Sequence, residues 1–180
     1  AIGSLHFRLL LPQPGRAPVW PRVSASGRTL WPEGADALHR PVYTVRKQAS
    51  DWLDFDIFRH PNSPTCDWAE ADPLGQQVGI LGPGGGGCPD APRLRLFGDE
   101  TALPAISRIL HSARGEVRAV LRCAPEDLGP LAADPRVSRT DDLLAELQHL
   151  GPPLDGCQVW VAADKATAQA ARAQLLAHGW

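Results

Sequence analysis

Two hydrophobic rhythms divide this chain. Up to residue 91 the apolar positions come in short runs or alternate with polar ones. Residues 6–11 form one apolar run, residues 41–47 alternate around Val42, Thr44 and Val45, and residues 76–81 end apolar. Residues 52–58 alternate strictly, with Leu53, Phe55 and Ile57 on one side of an extended chain. Residues 66–71 suit one or two helical turns. Between these runs lies a long proline-rich connection, residues 12–38, that carries Trp20 and Trp31. Short strands joined by turn-rich segments predict a small antiparallel barrel.

From residue 92 onward the period changes. Strand-like runs at 93–97, 117–121, 136–139 and 159–162 alternate with helical spacings at 101–113, 141–150 and 165–177. That alternation predicts a parallel, doubly wound sheet. Thr140 or Asp141 is suited to cap the second helix, and the third is rich in alanine. The expected architecture is therefore an α+β protein of two domains. Residues 1–91 form an antiparallel β-barrel, incomplete at its N-terminus, and residues 92–180 an α/β parallel-sheet domain of nucleotide-binding type.

Between the halves lies VGILGPGGGGCPDAP, residues 78–92, which contains a G-x-G-x-x-G match at Gly82, Gly84 and Gly87. A dinucleotide turn of that kind needs a helix directly after it, so that the pyrophosphate meets free amides. Pro89 and Pro92 prevent a regular helix there. The expected role of the run is a hinge followed by coil.

Composition narrows the field. Hydrophobic residues make up 43% and charged residues 21% of the 180, a globular balance. A net charge of −2 gives no basic footprint for nucleic acid. Cys66, Cys88, Cys123 and Cys157 are too far apart for a zinc or iron–sulfur spacing, which suits isolated thiols in a reducing compartment. No apolar run reaches membrane-spanning length and no signal peptide is visible, so a cytoplasmic location is the default expectation. The sequence holds no methionine, so Ala1 is not a natural translation start and a segment is expected upstream.

The stretch RLRLFGDETALPAISRIL, residues 93–110, has the organisation that the glycine run lacks. A strand ending at Phe97 is followed by a turn at Gly98, with Thr101 as the helix cap and Pro104 in the first turn. Free amides at that helix start suit a phosphate. Asp99 and Glu100 suit the helix dipole but repel a pyrophosphate. A structural capped helix and a nucleotide turn both fit these residues.

RPVYTVR (40–46), DFDIFRH (54–60), GPGG (82–85), GDETALPAI (98–106) and VWVAAD (159–164) occur in that order. Together they resemble the siderophore-interacting proteins, flavin-dependent ferric-siderophore reductases of the ferredoxin-reductase superfamily. The resemblance implies an FAD-binding barrel followed by an NAD(P)H-binding-like domain. FAD would take electrons from NAD(P)H or a ferredoxin and pass them to Fe(III) held by a siderophore. It further implies that Tyr43 stacks on the isoalloxazine, that Thr44 hydrogen-bonds near its reactive nitrogen, and that Arg40 meets a flavin phosphate. Arg40 stands three residues before Tyr43 rather than two, which reverses its strand face unless a bulge intervenes. His60 matches a histidine near the pyrophosphate. SPTCDWAE, residues 63–70, resembles the family's short phosphate-binding helix, with Cys66 and Asp67 at its polar and basic positions. Diphosphate binding is then expected from Thr65 and the amides around Trp68 and Ala69, with Asp67 turned away. Gly84, Gly98 and Thr101 complete the implied cofactor contacts.

The family usually has further barrel strands before HFRLLLP and a further aromatic ending after the last helix. The expectation is a fragment of a longer polypeptide or a reduced homologue. The function implied is FAD-dependent reduction of ferric siderophores. Two alternatives stay open: a flavoprotein reductase with another acceptor, and a non-catalytic homologue that binds a siderophore or a partner. No plant-type iron–sulfur pattern is present, so any ferredoxin would be a separate partner. Arg46, Lys47 and Lys165 are the cations considered for an anionic siderophore.

Overall fold

A computed structural model describes residues 5–85 and 90–180. Its contacts divide the chain into two compact units, His6–Gly84 and one built on Gly85–Trp180.

The first unit holds β1 (His6–Leu10), β2 (Arg22–Val23), β3 (Thr29–Leu30), β4 (Val42–Gln48), β5 (Leu53–Phe55), α1 (Pro64–Glu70) and β6 (Gly79–Gly84). An antiparallel sheet runs β5-β4-β1-β6, barrel-like but not closed among the described residues. Phe7 and Leu9 of β1 point into the core, and Arg8 between them is exposed, as the pleat requires. The β2–β3 hairpin was not expected, since two-residue strands amid prolines leave no alternation to read.

β5 is shorter than the predicted 52–58. Its ladder with β4 breaks register between Val45 and Lys47, and the intervening Arg46 pairs with Asp54 and Asp56 at 3.4 and 3.3 Å. β6 instead runs further than expected, through Gly84, with a register shift opposite Phe7. The glycines at 82 and 84 are thus strand residues rather than hinge. The expectation for Gly86 and Gly87 lies outside the described residues, while residues 90–92 are not helical.

The second unit contains β7 (Arg93–Asp99), α2 (Leu103–Ser112), β8 (Glu116–Arg122), β9 (Val137–Arg139), α3 (Leu143–Gln148), β10 (Cys157–Ala162) and α4 (Lys165–Ala177). A parallel sheet runs β10-β7-β8-β9. Leu94, Leu96, Val117, Ala119 and Leu121 meet Ile106 and Ile109 of α2 on one face. Phe97, Val120 and Val159 meet Leu143, Leu147 and Ala171 on the other. Both faces are covered, as a parallel sheet demands.

Three local expectations change. β7 continues through Gly98 to Asp99, so Gly98 is not a turn. Its lack of a side chain serves packing, because a Cβ there would lie 2.5 Å from Ala102 Cβ and 2.9 Å from Ile106 Cδ1. Asp99 rather than Thr101 caps the following 3-10 turn, Glu100–Ala102. Asp142 caps α3 in place of Thr140 or Asp141, because its carboxylate reaches the amides of Leu144 and Ala145. A 3-10 stretch at Pro125–Ala133, interrupted at Gly129, had no periodic signal.

Candidate functional site

The pairing of β1 with β4 places the residues around Tyr43. His6 faces Thr44, Phe7 faces Tyr43 and Arg8 faces Val42. The Leu9 amide donates to the Pro41 carbonyl, and Leu11 bridges His39 in the same antiparallel register. The register is unbroken, so no bulge lies between Arg40 and Tyr43. Arg40 therefore projects to the face opposite Tyr43, and its guanidinium stacks 4.3 Å over the Trp31 ring. His39, not Arg40, shares the Tyr43 face.

Tyr43 is half-buried in an aromatic group. Its ring centroid lies 5.0 Å from that of Phe55 and 6.4 Å from that of Phe7, and the two phenylalanines meet edge to face at 5.2 Å. Each such pair stabilises by about 0.5–1.5 kcal/mol beyond burial. Burial pushes the Tyr43 phenol up from its ordinary value, while hydrogen bonding to Thr65 opposes that rise. Thr44 is half-buried on the other face of the strand, beside His6 across the ladder.

α1 brings the next group of residues to this cluster. Ser63 caps it by accepting from the Cys66 amide at 3.3 Å, and Pro64 opens it, where no amide is needed. This geometry turns Thr65 and Cys66 inward. Thr65 is only 1% exposed, and its hydroxyl lies 3.1 Å from His39 Nε2. The Thr65 side chain is thus engaged with His39 and Tyr43, and any phosphate contact at this residue falls to backbone. Trp68 donates from Nε1 to Gln76 Oε1 at 3.0 Å, which ties the following loop to the helix, and Ala69 is half-buried beside it.

On the far side of α1 a cleft of about 290 Å³ opens, lined by Arg59, His60, Asn62, Cys66, Asp67 and Glu70. Cys66 is common to both places: it lines the cleft, donates to the Phe58 carbonyl at 3.6 Å, and lies near Tyr43. Asp67 is among the residues that line this cleft, and it is exposed. Arg59, not among the residues expected at the site, pairs with Glu70 at 2.6 Å. The signal was a basic residue directly before His60 at the end of an alternating run. Gly84 lies against His6; a Cβ there would fall 2.6 Å from the His6 ring.

Gly98 and Thr101 belong to a different cluster, at the C-terminal ends of β7, β8 and β10. Asp99 is 3% exposed and accepts three hydrogen bonds: from the Thr101 amide at 3.0 Å, the Thr101 hydroxyl at 2.6 Å and the Asp164 amide at 2.9 Å. Asp164 caps α4 through Thr167 and receives Arg122 at 3.3 Å. Hydrogen bonds from Thr167, with further help from Arg122, lower the Asp164 carboxyl to about 2. The buried carboxylate of Asp99 thus joins two parallel strands where ligands bind in such sheets. Both of its oxygens accept from protein donors.

Residues 2–87 match the siderophore-interacting FAD-binding domain, and residues 91–180 match the siderophore-interacting protein family. The chain belongs to the siderophore-interacting protein family. A ferric vibriobactin reductase, ViuB, from Vibrio cholerae is 30% identical over 135 residues, 68% of this chain and 46% of the relative. The chain therefore spans about half the length of that relative. The siderophore-interacting protein SipS of Aeromonas hydrophila superposes with a TM-score of 0.71 at 24% identity, over 97% of this chain and 77% of its own. The family member from Acinetobacter baumannii gives 0.72 at 20%, over 99% and 71%. A ferredoxin NADP+ reductase from Neisseria gonorrhoeae, solved with FAD and NADP, gives 0.63 at 13%, over 98% and 79%. These likenesses establish a fold of two domains, an antiparallel sheet followed by a parallel one.

The donor set of the first unit suits the two ends of an FAD. A half-buried aromatic ring and strand edge lie at one end, and an open polar cleft with a guanidinium and an imidazole at the other. Among the described residues no group of three or more His, Cys, Asp or Glu side chains is placed to hold a metal, and no described helix is long and apolar enough to cross a membrane.

Proposed function

We propose that this chain is part of an FAD-dependent reductase of ferric siderophores. The observation that carries the reading is the continuity of the Tyr43 cluster with the Arg59–His60 cleft through Thr65 and Cys66. A flavin ring at Tyr43 and a diphosphate in the cleft are then joined by one dinucleotide. ViuB, which carries the ferric-reductase name, supports the acceptor class.

FAD supplies the electron transfer itself. The residues of this chain position it. Tyr43 presents an aromatic face whose plane is fixed by Phe55 and Phe7, and Thr44 presents its hydroxyl on the opposite face of the strand, beside His6. His60 lies at the diphosphate end, whereas the amides of Trp68 and Ala69, expected to help, are engaged within α1; Gly84 lets the β6 edge approach His6 closely. Arg40, stacked on Trp31, stands outside this set. In the second unit the C-terminal end of β7 at Gly98, with Thr101 in the 3-10 turn after it, is the site for a nicotinamide donor, held in shape by Asp99. NAD(P)H is the donor that such a domain accommodates; a ferredoxin would deliver electrons from outside the chain.

A steady-state assay tests the reading. The purified chain, reconstituted with FAD, is given NADH or NADPH and a ferric siderophore, with a ferrous-specific chromogenic chelator as trap. Fe(II) formation that needs protein, flavin and donor together supports it. Protein that binds FAD but gives no Fe(II) from any donor, chemical reductants included, would remove the reductase reading.

A further inference from the structure

The cleft beside α1 has a charge problem. Two carboxylates, Asp67 and Glu70, line it, and a diphosphate entering it would add further negative charge. Like charges at close range repel one another. A compensating cation is required, and Arg59 lines the same cleft. Its side chain is 81% exposed and pairs with that of Glu70, itself 56% exposed. Such an exposed pair is weak and readily exchanged. Arginine is also the side chain best shaped for a phosphate, with paired donors in one plane.

From this arrangement we infer that Arg59 is the cation that holds the FAD diphosphate in this chain, and that Glu70 is the resting partner it gives up on binding. The inference rests on the reading of the first unit as an FAD site. Arg59 leaves Glu70 and turns its donors to the diphosphate oxygens. Asp67 opposes binding throughout, and Glu70 opposes it by competing for the guanidinium. His60 adjoins Arg59 in sequence and lines the same cleft, with its Nδ1 donating to the Pro61 carbonyl at 3.2 Å.

Fluorescence titration of the full chain with FAD and with riboflavin separates the possibilities, because riboflavin has no phosphate. Arg59→Gln is expected to weaken FAD by roughly tenfold at low salt, the scale of one lost charge-assisted contact, and to leave riboflavin unchanged. Glu70→Gln should tighten FAD several-fold, since nothing then competes for Arg59. The double variant Arg59→Gln/Asp67→Arg should recover most of the lost affinity by returning a guanidinium to the cleft from the other wall. Circular dichroism confirms that each variant is folded. FAD binding to Arg59→Gln that matches the parent, or equal losses for FAD and riboflavin, would overturn the role of Arg59. A parent chain that binds neither FAD nor riboflavin would instead bring down the flavin reading itself, and this role with it.

Discussion

Thr65 and His39 are joined by a 3.1 Å contact between hydroxyl and Nε2, and that contact ties α1 to the segment leading into β4, the strand that carries Tyr43. The same hydroxyl opposes the rise that burial imposes on the phenol. Tyr43 is the only tyrosine in the chain, so its ionisation is read without interference from another. Thr65→Val removes the hydroxyl at nearly constant volume and should move the Tyr43 absorbance titration to higher pH. Thr65→Ser should restore it. An unchanged titration in Thr65→Val would show that the hydroxyl does not act on Tyr43.

His39 gives a pH dependence with a definite sign. Burial lowers its pKa from 6.5, so the unfolded chain takes up a proton that the folded chain resists. Its contribution is complete above that value and is lost as pH falls through the lowered one. Urea midpoints should therefore decline on acidification below about 6.5, and His39→Gln should flatten that part of the curve. A slope identical in the variant would assign the decline to other groups.

The carboxylates of the second unit act at lower pH. Asp164 falls from 3.8 to about 2 in the fold, through Thr167 first and Arg122 less. Its stabilisation is present above 3.8 and lost between there and about 2, as the folded group is finally protonated. Asp164→Asn should lower thermal stability at neutral pH and lose less than the parent over that acid window. Asp99→Asn is a separate test: one of its two oxygens becomes a donor facing donors. Leaving buried partners unsatisfied costs about 1–3 kcal/mol, measurable in urea.

Gly98 has no room for a methyl group. A Cβ would overlap Ala102 at 2.5 Å and press on Ile106 at 2.9 Å. Gly98→Ala should destabilise by about 1–3 kcal/mol, the usual range for overpacking. Adding Ala102→Gly should return part of that loss, because the two sites touch. If Gly98→Ala is neutral in urea unfolding, α2 does not sit as close to β7 as described.

Much of the fold was legible because the chain changes period. Residues 93–97, 117–121 and 159–162 lie within strands of the parallel sheet, and residues 165–177 form α4 as the alanine-rich spacing implied. The β2–β3 hairpin and the stretch at 125–133 were not legible, since neither carries a repeat long enough to show a period. Asp99 was visible as a charge near a turn, but only the fold shows that its oxygens point inward to Thr101 and Asp164. Arg59 was hidden for a similar reason. It lies five residues from the start of α1 in sequence, and the chain's turn at Pro61 and Asn62 brings it to Glu70. The face of Arg40 depended on register, which the spacing raised as a question and the unbroken β1–β4 ladder answers.

The most direct measurement removes the electron donor from the question. The chain is loaded with FAD, reduced by light with a sacrificial electron donor under anaerobic conditions, freed of excess flavin and donor, and mixed with a ferric siderophore beside a ferrous trap. Reoxidation of the bound flavin with about two Fe(II) per FAD is expected, since each iron takes one of its two electrons, together with a lower yield of loaded protein from Arg59→Gln. Flavin that stays reduced in the presence of ferric siderophore, or reoxidises without Fe(II) appearing, would contradict the reductase reading.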